Sequence, residues 1–434
     1  MTQSKNNSSM IAILTMIFLF GMISFVTNLA APIGNIWKMQ PGIEGSNTLG
    51  MMGNMMNFLA YAIMGIPAGA LLKKKGYKFT ILAALLVGLV GVFVQYLSGV
   101  VGVGSTIGSI PTNFFVYLFG AFVCGFSVCM LNTVVNPMLK ILGGKRSNQY
   151  IQIGGSFNSL MGTLTPMLVG SMIGVLSKDT LISDVNTLLF MAMGVFAISF
   201  VILCFVPIQD PEATKSAAPA VSPLKYKHFV LGIIAIFLYV GVEVGIPGTL
   251  NFYLSDPEKG AGLDPATAAS IAGFVAGTYW FLMLIGRLIS SVISGKVSAR
   301  AQLTTVSAVA CVLLVLAIIL GSSSNSSMVK MPVFNGSGFG METVPIAALL
   351  LVLCGLCTSV MWGTIFDLSV EGLGASTEKA SGIFMAMVVG GGIVPLVQNF
   401  VADKVSYMAS YWVIFACVVF ILYFALIGSR VKKA

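Results

Sequence analysis

Charge is what this sequence has least of. Lys, Arg, Asp and Glu make up 9% of its 434 residues, against about 25% in an ordinary soluble domain. Hydrophobic residues make up 57% and the mean hydropathy is +0.97. A soluble fold of this size cannot hide that much apolar surface. There are 14 carboxylates and one histidine, His228, so acid–base and metal chemistry have few residues to work with. No metal-spaced cluster, phosphate loop or Ser/His/Asp arrangement offers itself, and neither an enzyme nor a cofactor is expected. The cysteines exclude a disulfide scaffold. All seven lie in apolar runs. Cys354 and Cys357 form a Cys-x-x-Cys inside one of these runs, where packing is expected rather than redox work by an accessible thiolate. A β-barrel is excluded because its strands would alternate apolar and polar with period two.

What is present is a series of continuous apolar runs, each about 20 residues long or more, enough to cross a hydrocarbon core of about 30 Å as helix. They fall at 10–34, 50–72, 78–99, 113–139, 150–176, 186–207, 228–254, 265–294, 302–320, 345–370, 380–402 and 409–428. The chain therefore reads as an all-α membrane protein with twelve transmembrane helices in the lipid bilayer. One Lys, Lys5, precedes the first run, and no small-residue cleavage site follows a short apolar core. An uncleaved span is expected, not a signal peptide. Residues 208–227 are polar and rich in Pro, Ala and Ser. This linker separates a six-helix bundle at 1–207 from a second at 228–434.

A net charge of +9 suggests nucleic acid only if its placement is ignored. With the N-terminus in the cytoplasm, 18 of the 23 Lys and Arg residues fall on the inner side. The other five, Lys38, Lys178, Lys259, Lys330 and Lys404, fall outside. The positive-inside rule thus expects both termini in the cytoplasm, in the cell's inner or plasma membrane, with no nucleic-acid partner. The longest outer loop, 321–344, is rich in Ser, Gly and Asn. It holds Asn-x-Ser triplets at Asn325 and Asn335, a pattern frequent by chance.

Two carboxylates lie inside the runs, Glu243 in the seventh and Asp367 near the inner end of the tenth. An ionisable group there costs at least about 2.5–3.5 kcal/mol on insertion scales, so it points to function. Glu243 can bind a hydroxyl, bind a cation or take up a proton. It can also serve as a structural carboxyl facing another helix. Asp367 reads as a gate or structural ion pair with Arg287 of the eighth run. The first six runs have no charge at mid-depth but many amides: Asn28, Asn54, Asn57, Asn132, Asn136, Gln152 and Asn158. Asn251, Gln398 and Asn399 follow in later runs. Amides donate and accept together, which suits a neutral polyhydroxylated ligand. Each alone also serves as helix–helix glue. Tyr279, Trp280 and Trp362 can supply apolar faces for a sugar ring. The candidate lining is therefore Asn28, Asn132, Asn136, Gln152, Asn158, Glu243, Asn251, Trp280 and Trp362. Glu243, Asp367 and Arg287 are the candidates for coupling or gating.

Gly390-Gly391-Gly392 with Pro395 should weaken the eleventh run, as Asn136-Pro137 should the fourth. Gly162-x-x-x-Pro166 and Gly391-x-x-x-Pro395 echo each other in matching runs. Paired halves of this kind are expected of a transporter that rocks around a central site, for which a monomer suffices.

Gly69-Ala70-Leu71-Leu72-Lys73-Lys74-Lys75-Gly76-Tyr77-Lys78 resembles the loop signature of the major facilitator superfamily, with Lys73 in place of its Asp. Four stretches resemble the fucose–proton symporter family, which includes bacterial glucose/galactose transporters. They are Asn132-Thr133-Val134-Val135-Asn136-Pro137, Ser156-Phe157-Asn158-Ser159, Tyr239-Val240-Gly241-Val242-Glu243, and the stretch from Thr364-Ile365-Phe366 to Gly390-Gly391-Gly392-Ile393-Val394-Pro395. The resemblance implies the major facilitator fold, a monosaccharide substrate and proton symport. Many members have Glu at Asn132, and the fucose symporter has an Asp where this chain has Leu29 and Ala30. Both acids expected to handle the proton are missing from the N-terminal half, so substrate class carries over further than coupling. H⁺, Na⁺ and uncoupled facilitation stay open as mechanisms. An exporter of amphipathic compounds on the same fold and a non-transporting sensor or scaffold are the competing readings.

Overall fold

The structure, a computed structural model, describes residues 2–143, 147–206, 208, 222–293, 296–322, 327–335, 338–373 and 377–431, and most of their side chains. Apart from Ile208 and the stretch from Ser222, the expected linker 208–227 lies outside these residues, as does Asn325. Among the described residues, ten stretches are long and apolar enough to cross a membrane. Their outer faces carry large apolar side chains such as Ile66, Phe119, Phe205 and Val292, which water does not tolerate in such number and lipid does.

Helix α1 (Thr2–Asn28) passes through Leu29 into α2 (Ala30–Lys38). Pro32 explains the break, because its ring crowds the carbonyl four residues back, at Asn28. A short α3 (Asn47–Gly50) leads into α4 (Met52–Leu97), whose two arms match the second and third apolar runs. Gly76 separates the arms at φ +83°, a conformation that L side chains avoid. A two-residue hairpin, β1 (Thr106–Ile107) and β2 (Ile110–Pro111), precedes α5 (Thr112–Gly143). Then come α6 (Ser147–Ile173) and α7 (Asn186–Phe205). Helix α6 is not among the ten apolar stretches; it carries Asn148, Gln149, Gln152 and Asn158 in its first half.

The C-terminal segment holds α8 (Lys227–Ser255), α9 (Ala268–Ile293) and α10 (Ala299–Ser322). Strands β3 (Met328–Phe334) and β4 (Phe339–Pro345) follow, then α11 (Ile346–Val370), α12 (Thr377–Ala386), α13 (Gly390–Lys404) and α14 (Tyr407–Tyr423). The antiparallel β3–β4 hairpin lies almost wholly within the expected loop 321–344 and leaves the membrane fold all-helical. Met-Val-Lys-Met-Pro-Val-Phe buries alternate positions, as a two-sided strand does. Asn335 ties the strands together, its amide donating to Glu342 at 2.9 Å.

Two of the helix pairs that join the N-terminal segment to the C-terminal one frame the site. Helices α6 and α9 meet along a stripe of small residues. Gly162, Pro166 and Gly170 of α6 face Trp280, Gly273 and Ala269 of α9, and a Cβ added at Gly277 would stand 2.6 Å from the Thr163 carbonyl. Such stripes let helix backbones approach closely. The second pair is α4 and α13, where Phe58 lies against Gly391 and Gly392. The three glycines at 390–392 are therefore sites of close packing. A 3₁₀ turn at Met387–Val389 precedes them and splits the eleventh run.

Candidate functional site

Between these pairs lies a small cavity of about 30 Å³, walled in part by Asn28, Asn54, Pro166, Pro247, Asn251 and Trp280. By volume it holds about two waters and no sugar ring. Asn28, Asn251 and Trp280 thus come together as the sequence suggested. The α8 face that brings Asn251 here also carries Pro247 and Glu243, four residues apart each.

Each amide at the cavity is already engaged. Asn28 Nδ2 donates to the carbonyl and hydroxyl of Ser24, at 2.9 and 3.1 Å. Asn54 Nδ2 donates to the Gly391 carbonyl at 2.8 Å. That carbonyl has no helical donor, because the residue four positions on is Pro395, which lacks an N–H. Asn251 Oδ1 accepts from Asn35 Nδ2 at 2.6 Å. The last two bonds cross from one segment to the other.

Glu243 lies about 12 Å along α8 from Asn251, at 1.5 Å per residue. Its Oε1 is 3.6 Å from Arg287 Nη2 of α9 and accepts from the Tyr239 hydroxyl at 2.9 Å. The same hydroxyl lies 3.1 Å from the Thr358 carbonyl, and Tyr279 Oη is 2.8 Å from Thr358 Oγ1. Arg287 Nη1 donates across the segments, to the Gly155 carbonyl at 2.7 Å and to Ser159 Oγ at 3.0 Å. The expected partner of Arg287 was Asp367. The ion pair within 4 Å is made with Glu243 instead. Arg287 shares the α9 face of Trp280, which packs on α6 and α8, whereas Asp367 is exposed on α11. Trp362 stands by this cluster, edge to face with Tyr239 at 6.2 Å. The edge-to-face pair Tyr279–Trp280, 5.6 Å apart, links the cluster to the cavity.

Other expected lining residues lie elsewhere. Asn132 donates to the Tyr61 hydroxyl at 2.6 Å, inside the N-terminal segment. Asn158 donates to the Phe20 carbonyl at 2.9 Å. The side chains of Asn136 and Gln152 lie outside those described.

A third cluster, which sequence reasoning missed, closes the end of the molecule marked by Lys38. The Lys38 side chain is 2% exposed and its Nζ is 3.6 Å from Asp256 Oδ2. It donates to the Tyr407 hydroxyl at 2.9 Å and sits 4.6 Å over the Phe252 ring. Tyr407 Oη lies 2.6 Å from Asp256 Oδ2 and 2.7 Å from the Asn47 amide. Burial works against the charge on Asp256. Lys38, the backbone N–H groups of Lys259 and Glu258, and Tyr407 outweigh it and hold this carboxyl below the ordinary range. Asp403 of α13 accepts four bonds from the start of α3: Asn47 N at 2.7 Å, Thr48 N at 2.9 Å, Thr48 Oγ1 at 2.5 Å and Ser46 Oγ at 3.2 Å.

This arrangement is a helical, multi-pass membrane protein whose polar groups gather where two helical segments meet. The chain belongs to the Major Facilitator Superfamily, whose family model matches residues 11–394. It is a membrane transporter rather than an enzyme. Among curated proteins it is 29% identical to a glucose/galactose transporter of Brucella abortus, over 99% of this chain and 96% of that one. It is 26% identical to a putative glucose/galactose transporter of Helicobacter pylori, over all of both chains. It is 23% identical to the L-fucose-proton symporter of Escherichia coli, over 80% and 77%. Among solved structures it matches the transporter FucP in its outward conformation with TM-score 0.66. That match is 19% identical and covers 98% of this chain and 100% of that one.

Proposed function

We propose that this protein carries a neutral monosaccharide, a hexose or deoxyhexose, across the cell membrane by alternating access. The observation that carries this reading is the cavity between the two segments, where three amides and an indole stand among small apolar residues and prolines with no charged side chain in the wall. Amides match hydroxyls in both directions, and Trp280 offers a flat apolar face. The names of the curated relatives support the same substrate class. An exporter of amphipathic compounds would be served by an aromatic wall, not by this one.

The finer reading takes α4 as two crossings and α6 as another, giving twelve in two six-helix halves, 1–207 and 228–434, joined by 208–227. Both termini then face the cytoplasm, and Lys38, Asp256, Asp403 and Tyr407 seal the outer mouth. The protein works as a monomer and an importer. Coupling, by H⁺ or Na⁺, falls to Glu243. Protonating it removes the charge that holds Arg287 to α8, while Arg287 also grips Gly155 and Ser159 of the other half. Uncoupled facilitation is the second reading, favoured by the neutral Asn132–Tyr61 pair where the family resemblance leads one to expect an acid.

Counterflow in proteoliposomes tests substrate without assuming a driving ion. Labelled fucose, glucose, galactose, mannose and N-acetylglucosamine are offered singly. Overshoot with one of them supports the reading. No overshoot with any, in folded protein, overturns it.

A further inference from the structure

We propose that two of the cavity's own amides are the latches between the halves, so a polyol enters only by taking their bonds. This rests on the sugar-transport reading above. Asn54 and Asn251 both wall the cavity, and both make a bond that crosses the halves, to Gly391 and from Asn35. Asn35, Asn54 and Asn251 are each at most 4% exposed, so bulk water does not reach these bonds, and only the few waters that the cavity can hold compete for them.

A hydroxyl is the group best suited to open such a latch. It accepts from an N–H and donates to a C=O at once. Inserted between Asn54 Nδ2 and the Gly391 carbonyl, it keeps both satisfied. The separation then rises from 2.8 Å to about 4.5 Å, the span of two such bonds meeting at an oxygen. The ligand is a wedge that parts α4 from α13. The proline at 395 makes this possible: the Gly391 carbonyl is bound to a side chain of the other half rather than to its own helix. A ligand lacking the inserted hydroxyl leaves the latch shut.

The inference makes an unusual demand on Asn35, which does not wall the cavity. If it acts only by competing for Asn251, removing it frees Asn251 for the ligand. Asn35→Ala should therefore tighten sugar binding about two- to tenfold, the worth of one net hydrogen bond. A merely structural role predicts weaker or unchanged binding. Purified protein in nanodiscs is titrated calorimetrically with D-glucose, D-galactose and L-fucose, singly. In parallel, hydrogen exchange of the peptide spanning 387–399 is followed without sugar in wild type, Asn35→Ala, Asn35→Ser and Asn54→Ala. Faster exchange in the variants, with an unchanged far-UV spectrum, supports the latch. Exchange no faster than wild type in any of them overturns it, as does weaker or unchanged binding in the folded Asn35 variants. If wild type binds no sugar, the substrate reading falls, and the exchange arm still decides the latch.

Discussion

Removing the cation from the Lys38 cluster should open the protein at that end. In the closed form, Lys38 and Asp256 are 2% and 8% exposed in their side chains, 3.6 Å apart. Lys38→Met leaves the Asp256 carboxylate there without its counter-charge. Breaking one side of a buried pair costs about 3–5 kcal/mol. Asp256 keeps two backbone N–H donors, at 2.9 Å each, so the lower figure applies. When the mouth opens, water solvates the carboxylate and the penalty vanishes. The whole of it therefore acts on the equilibrium, and about 3 kcal/mol is roughly a 100-fold rise in the open fraction. The assay is modification of Thr27→Cys, at the cavity wall, by an impermeant maleimide applied from the Lys38 side. Its rate follows the open fraction. Lys38→Met should raise it about 100-fold. Lys38→Met with Asp256→Asn, which removes both charges, should raise it far less, because the pair and not the residue is at stake. Equal rates in the single and double variants would refute the reasoning.

Glu243→Gln should abolish uphill accumulation and leave exchange intact; accumulation at the wild-type level in that variant would rule out coupling at this carboxyl. Gly76→Ala forces a Cβ into the extended positive-φ conformation at φ +83°, ψ 175°, a strain of about 1–3 kcal/mol, and thermal unfolding should show a midpoint lowered by a few degrees. Asp256 gives a pH dependence of fixed sign. Its carboxyl is held below the ordinary range in the closed form and returns to about 3.9 when solvated. Its support for closure is complete above that value and is lost as pH falls through the depressed one. The Thr27→Cys labelling rate, divided at each pH by that of an exposed reference cysteine to remove the thiolate's own titration, should stay flat from pH 7 to 5 and rise below about 4; a rise already at pH 6 would count against this carboxyl.

Much of this was legible because apolar length and residue type are local properties. The runs survive as helices, and Glu243, Asn28, Asn251 and Trp280 were marked by polarity in apolar surroundings. What was not legible depends on helical phase and docking. Arg287 and Asp367 both lie near the inner ends of their runs while Glu243 lies further into its own, so the sequence favours the wrong partner, and only the α9 face turned toward α8 selects Glu243. Pro395 announces a carbonyl without a donor, yet nothing near it in sequence names Asn54. The Lys38 cluster draws on α2, α3, α8, α13 and α14. Each charge sits at the end of an apolar run, where loop charges are ordinary, and burial comes only from the joining of the two segments. The alternation in β3 was present, but the Ser, Gly and Asn around it read as loop.

The three clusters differ in strength in a way that follows from where water returns. Charges at a mouth lose little when the mouth opens, because solvent replaces the lost partner. A strong lock such as Lys38–Asp256 is therefore affordable there. At mid-depth no solvent is at hand in the closed form, and an ionic latch would leave a bare charge costing at least about 2.5–3.5 kcal/mol on insertion scales. The cavity is latched by neutral amides instead, each worth about 1 kcal/mol net, a size that a few ligand hydroxyls can match. Glu243 and Arg287 are the exception, and their bonds are shared. Arg287 holds Glu243 and the other half at once, so neutralising the carboxyl leaves the guanidinium with acceptors still in place. That is the condition a mid-membrane carboxyl must meet to gain and lose a charge during a transport cycle.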